Sequence, residues 1–316
     1  MGLLMGLQDG VWQLAGFVFS TALVGISVVQ GYIYFARNKH GHWASKSLVI
    51  LLLILDPATS LLFAHTIYYY FLINFGNYRV FSKVTSSWCA ENAITSIIVW
   101  IVQLYFALRI YQLDKQHPLL PRPILNWMIP AFVVFLAFVS FALGIARTAF
   151  MVFQTTNHLA TLSVTLVVDM EEGCAVICDI ITTSALCYML SPIRSSTRKR
   201  SPVRTVFIFL IDRGILVNVV QLGTLVTYSY APNKLYWMSF HLCKSKVYIN
   251  TFFAMVNSPE NQPSSANTRP SSKLEFRRSI VVMPAISSNA NHDTPSVSTS
   301  DMTNNYYETD MAAPEA

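Results

Sequence analysis

Asp56, Asp179 and Lys246 lie deep inside long hydrophobic runs, where an ionised side chain is hardest to accommodate. An unpaired charge in such a run costs at least ~2.5–3.5 kcal/mol to bury in a bilayer, so these residues call for a partner. A carboxylate and an ammonium together can form a buried ion pair, a proton relay or a counter-charge for a polar ligand. On helical spacing, Lys246 shares a stripe with Asn250, Phe253 and Asn257, at steps of four, three and four. His241, Lys244 and Tyr248 form a second stripe on nearly the opposite side. A helix polar on two faces belongs inside a bundle rather than against lipid. Lys244 has snorkelling as an alternative, although from mid-membrane its stem barely reaches an interface.

The elements that hold these residues follow from composition. Hydrophobic residues make up 53% of the 316-residue chain and charged residues 12%, against about 25% charged in a water-soluble domain. The first 257 residues carry 18 basic and 9 acidic groups, and the last 59 carry 4 and 7. This pattern excludes a secreted disulfide scaffold and a soluble nucleic-acid-binding module. It leaves an all-α integral membrane protein, because about 20 apolar helical residues cross the hydrocarbon core and no period-2 alternation suggests a barrel.

Seven runs qualify, at about 11–35, 47–74, 92–111, 124–145, 166–190, 206–228 and 235–257, and they predict a seven-transmembrane helix bundle over 11–257. The fifth run carries Asp169, Glu171 and Glu172 in its first turns, where the expectation is a solvated helix start at the outer mouth. Ala231-Pro232-Asn233 predicts the turn between the last two runs. In this frame Asp56, Asp179 and Lys246 all lie roughly 14–17 Å from the inner face. Lys246 is therefore expected to pair with Asp56 or with Asp179. The competing reading is a buried pair that only fixes helix packing.

Fifteen lysines and arginines gather on one side of the predicted membrane and four on the other. The positive-inside rule places the N-terminus outside and the C-terminus in the cytosol. Residues 1–10 read as a short exofacial N-terminus with no positive n-region, so no cleavable signal is expected. Residues 258–316 hold 11 Ser, 5 Thr, 6 Asn and 6 Pro and read as a disordered cytosolic tail. The cytosolic cluster Arg198, Lys199 and Arg200 is topogenic and suited to anionic lipid or a cytosolic partner. It is not a signal for nucleic acid.

No enzyme signature is present: the chain has no HExxH, no GxSxG and no Gly-rich phosphate loop. The five cysteines lack metal spacing, so no metal is expected, while Cys89 and Cys174 are both exofacial in this topology and permit a disulfide. A lysine in the seventh helix raises retinal binding. With Phe240 and Leu242 one turn before Lys244 and Lys246, the expected aspartate is missing and no cofactor is expected.

Gln30-Gly31-Tyr32-Ile33-Tyr34-Phe35, Phe75-Gly76-Asn77, Gln103 to Tyr111, Asp179 with Cys187-Tyr188-Met189-Leu190, and Pro232-Asn233 form a distinctive set of stretches. Ser245-Lys246-Val247-Tyr248-Ile249-Asn250-Thr251 and Val256-Asn257-Ser258 continue it, over about Val11 to Ser258. Together they resemble a fungal, basidiomycete-type seven-helix membrane family of unknown function (domain of unknown function 6534). Asp212-Arg213 and Pro259 depart from the family pattern, which usually has uncharged polar residues and an arginine there. The resemblance implies seven helices and a membrane location, and supplies no activity.

The sequence thus leads to a receptor-like or sensory multi-pass protein. A small-molecule ligand is expected in an outer cavity among helices 2, 3, 5 and 7, with the basic loops meeting a cytosolic partner. The alternatives are a small transporter or proton-coupled carrier and a structural membrane protein.

Overall fold

The computed structural model describes residues 2–38, 43–75, 80, 84–116, 123–153, 161–196, 202–232 and 234–257. The chain divides into a unit Met1–Ser264 and a unit Ser265–Ala316, and the second lies outside the described residues. Every regular element among them is helical: α1 (Gly2–Arg37), α2 (Trp43–Tyr68), α3 (Ser86–Gln116), α4 (Pro123–Phe153), α5 (Leu162–Ser196), α6 (Pro202–Tyr230) and α7 (Trp237–Val256). A π-helical turn over Tyr69–Ile73 continues α2. Four of these segments are long and apolar enough to cross a membrane: Gly10–Arg37, Trp43–Ile73, Ser86–Lys115 and Trp127–Phe153.

Each helix packs against its neighbours in the chain, and α7 returns to α1, so the seven close into a ring. Across the ring α3 also touches α5 and α7. The distribution of apolar surface is reversed relative to a soluble protein. Large hydrophobic side chains are exposed along α1, α2, α4, α5 and α6, including Phe19, Ile54, Phe135, Met170 and Val219. The described part of α3 exposes only Leu108, and α7 exposes none. Apolar outer faces of this extent are suited to lipid or to partner proteins rather than to water.

Fifteen of the twenty residues of α7 are buried. That enclosure explains its composition, because a helix surrounded by protein needs no apolar face toward lipid and can carry polar residues that find partners on several sides. Its contact with α1 depends on Gly16: a Cβ there would stand 2.5 Å from the Cα of Ser239. The close approach lets the Ser239 hydroxyl donate to the carbonyl of Trp12 at 2.5 Å. At the start of α7 Trp237 stacks with Trp88 at 6.4 Å and meets Tyr228 edge-on at 5.3 Å. The opposite half is filled by Leu52, Ile98, Ile110, Leu186, Phe252 and Phe253. Between these apolar ends lies the polar layer that holds the candidate site.

α4 and α5 run beyond the spans expected at 124–145 and 166–190, reaching Phe153 and starting at Leu162. The extension brings Arg147 onto α4 and the Asp169–Glu172 segment well inside α5. Arg198, Lys199, Arg200 and the tail from 258 lie outside the described residues, as do the side chains of Asp212 and Arg213.

Candidate functional site

The two polar stripes of α7 face two different sets of helices. On the first, the Lys246 ammonium meets Asp56 Oδ1 at 2.9 Å and donates to the Asp56 carbonyl at 2.5 Å and to the Thr59 hydroxyl. Two hydrogen bonds and one ion-pair contact thus surround the ammonium. Asn250 donates to the Leu23 carbonyl at 3.1 Å and to the Lys246 carbonyl at 2.9 Å, and Asn257 donates to the Gln30 carbonyl at 2.9 Å. This stripe ties α7 to α1 and α2.

The second stripe faces α3, α5 and α6. Lys244 meets Glu172 Oε1 at 2.7 Å and Glu171 Oε1 at 3.9 Å. Arg147 reaches in from α4 to Glu171 Oε2 at 3.2 Å and Glu172 Oε1 at 3.6 Å. It also donates to the side-chain oxygen of Asn92, whose amide donates to Thr148 at 2.7 Å. His241 Nε2 lies 3.4 Å from Glu91 Oε2, and Thr95 donates to the other oxygen of Glu91 at 2.9 Å. Gly144 makes room for this layer, since a Cβ there would lie 2.6 Å from Ser96 Oγ and 3.1 Å from Glu171 Oε1.

Tyr248 completes the stripe. Its hydroxyl donates to Asp179 Oδ2 and accepts from the Gln221 amide at 2.5 Å and the Gln103 amide at 3.4 Å. α3, α5 and α6 thereby meet at one hydroxyl of α7.

Several sequence expectations change here. Asp56 is the partner of Lys246; Asp179, on α5, faces the other stripe and cannot reach the same ammonium. Glu171 and Glu172 are not a solvated helix start, being 3% and 0% exposed, because Arg147 and Lys244 neutralise them inside the bundle. Lys244 does not snorkel. Cys89 and Cys174 are free thiols. Cys89 packs with the tryptophans at the start of α3 and α7, whereas Cys174 borders the cluster of Ala107, Val133, Ala137 and Cys178, so the two belong to different cores.

The ionic layer of Glu91, Arg147, Glu171 and Glu172 is hard to read from the chain because Glu91 and Arg147 fall just outside the expected spans and Glu171 and Glu172 sit in the first turns of the fifth, where charges read as a solvated helix end. A helical signal was nonetheless available. Ser140, Gly144 and Arg147 follow steps of four and three, and Asn92, Ser96 and Gln103 share one face of α3.

Two cavities adjoin the layer. One, between Ser96, Gln103, Ser140, Glu171 and Lys244, offers about 10 Å³ to water centres. The other, beside Asp179, Thr182, Thr183, Tyr248 and Thr251, offers about 30 Å³. A water needs about 10–15 Å³, so both are water-sized and neither accepts a drug-sized ligand as it stands. No group of His, Cys, Asp and Glu suited to a metal ion occurs among the described residues.

A family model described as a family of unknown function (DUF6534) matches residues 175–260. The matched stretch contains Asp179, Lys244, Lys246, Tyr248 and Asn250 but not their partners Asp56, Glu171 and Glu172. No curated protein and no solved structure matches the chain.

Proposed function

We propose that the chain is a seven-helix multi-pass membrane protein of receptor-like, sensory type, with its N-terminus outside and its C-terminus in the cytosol. The likeness to a fungal seven-helix family over Val11–Ser258 supports the span count. So does the burial of α7, whose 20 residues reach about 30 Å, the thickness of the hydrocarbon core. The positive-inside bias supports the orientation.

The observation that carries the receptor-like reading is the set of polar links along α7. His241, Lys244, Lys246, Tyr248 and Asn250 connect one rod to α3, α5, α2, α5 again and α1. A small-molecule ligand that displaces one carboxylate or ammonium at the outer end changes the balance of the whole rod, and α7 delivers the change to the cytosolic loops. Buried ion pairs add little net stability over apolar packing, and their best-attested use is to set a register or a switch. Entry of a ligand larger than water at the two cavities described above needs the outer helix ends to part, because both are water-sized.

The test uses spin labels at the cytosolic ends of α5 and α6 in lipid nanodiscs. Arg147→Met, at the far end of the bundle, is expected to shift the inter-label distance while the helix content stays intact. A folded variant with an unchanged distance refutes the coupling.

A second reading, a proton-coupled carrier, is favoured by the water-sized polar cavities beside Asp179 and Lys244. It predicts pH-dependent uptake into proteoliposomes that disappears in Asp179→Asn. Silence of the folded wild type in that assay supports the receptor-like reading.

A further inference from the structure

Among the described residues nine ionisable side chains other than tyrosine and cysteine are buried: the acids Asp56, Glu91, Glu171, Glu172 and Asp179, and the bases Arg147, His241, Lys244 and Lys246. Geometry pairs all but one of the acids. Asp56 has Lys246, Glu91 has His241, and Glu171 and Glu172 share Arg147 and Lys244. Among the described residues no Lys, Arg or His lies within 4.0 Å of the Asp179 carboxylate. An ionised carboxylate enclosed in this way is costly unless a positive charge joins it.

Its surroundings supply oxygen. Thr182 and Thr251 are buried, and both line the cavity with Asp179, Thr183 and Tyr248. Thr251 donates its proton to the Tyr248 carbonyl at 2.5 Å, which leaves its oxygen lone pairs free toward other partners. Gln103 and Gln221, 2% and 0% exposed, both turn their amide nitrogens to the Tyr248 hydroxyl, and both their side-chain oxygens are buried without a hydrogen-bond partner. Phe106, Leu186 and Val217 wall the cavity on its apolar side.

We infer that the cavity beside Asp179 is a binding site for a hard monovalent cation of the sodium class. The Asp179 carboxylate supplies the charge, and Thr182, Thr251 and a water supply neutral oxygens. The ligand chemistry follows from the donors, since carboxylate and hydroxyl oxygens select hard cations over soft ones. One carboxylate with no described cation at ion-pair distance matches one positive charge and leaves a divalent ion overcharged. The volume, enough for about two waters, fits a small ion with one water. Bound there, the ion lies among α3, α5, α6 and α7 and holds them in the arrangement seen. The inference stands apart from the receptor-like reading, because it needs only the local charge and the cavity.

The experiment follows thermal unfolding of the full-length protein in detergent micelles as sodium chloride replaces choline chloride at constant ionic strength and pH. The midpoint is expected to rise with sodium, by about 3–6 °C once sodium exceeds its dissociation constant roughly tenfold. Asp179→Asn is expected to flatten the response. Thr182→Val and Thr251→Val, which keep the charge, are expected to move the response to about tenfold higher sodium, the effect of one weakened ligand. They decide the matter where Asp179→Asn does not fold. Equal midpoints for the wild type in sodium and choline overturn the inference, as does a full sodium response in folded Asp179→Asn. A midpoint that follows pH and ignores sodium assigns the site to a proton and also overturns it.

Discussion

Replacing Lys246 by Met tests the polar core most directly. The change removes an ammonium that is 2% exposed and leaves the Asp56 carboxylate, itself 0% exposed, without its cation at 2.9 Å. It also withdraws the donor to the Asp56 carbonyl and the Thr59 hydroxyl. Breaking one side of a buried pair costs about 3–5 kcal/mol, most of it the penalty of the charge left behind. For a protein of this size that corresponds to roughly 6–20 °C in the unfolding midpoint. Asp56→Leu alone should cost about as much, because the ammonium then retains only neutral acceptors. The double variant removes both charges and should recover most of the loss, ending within about 1–2 kcal/mol of the wild type, since paired apolar replacements of buried ions are often nearly neutral. The coupling energy of the cycle is then about 3 kcal/mol or more. Unfolding in a denaturing detergent, followed by tryptophan fluorescence, reads all four proteins, because Trp88 and Trp237 stack at the end of α7. Additive losses, or a Lys246→Met variant as stable as the wild type, would show that the pair does not hold the bundle as described.

Other perturbations reach the rest of the layer. Gly144→Ala drives a methyl group against Ser96 and Glu171 and should cost about 1–3 kcal/mol in the same unfolding assay, with partial relief in Gly144→Ala/Ser96→Gly. Tyr248→Phe removes the hydroxyl on which Asp179, Gln103 and Gln221 converge, and should cost about 1–3 kcal/mol for the polar groups left unpaired. Cys89 and Cys174 are unbridged, so electrophoretic mobility should be the same with and without reductant, and Cys89→Ser should not alter it.

Much of the architecture was legible because bilayer physics acts on composition. Long apolar runs with few charges can satisfy their backbone in lipid only as helices, so the helical class and the approximate positions of the elements follow from the chain alone. The two polar stripes of α7 were likewise readable, since helical spacing sets which residues share a face. Their presence already required α7 to be enclosed.

The pairing of those stripes depended on tertiary structure. At equal depth Asp56 and Asp179 are equivalent partners for Lys246, and only the order of helices around the ring, with α2 on one side of α7 and α5 on the other, separates them. The ionic layer of Glu91, Arg147, Glu171 and Glu172 was hidden for a related reason. A charged residue near the end of an apolar run reads as a solvated end, because hydropathy along one segment carries no information about opposite charges on its neighbours. Once α4 and α5 continue past their apolar stretches, those neighbours lie within ion-pair distance. Packing thereby turns what would be costly isolated charges into partners, and among the described residues it leaves Asp179 as the one buried carboxylate without a cation.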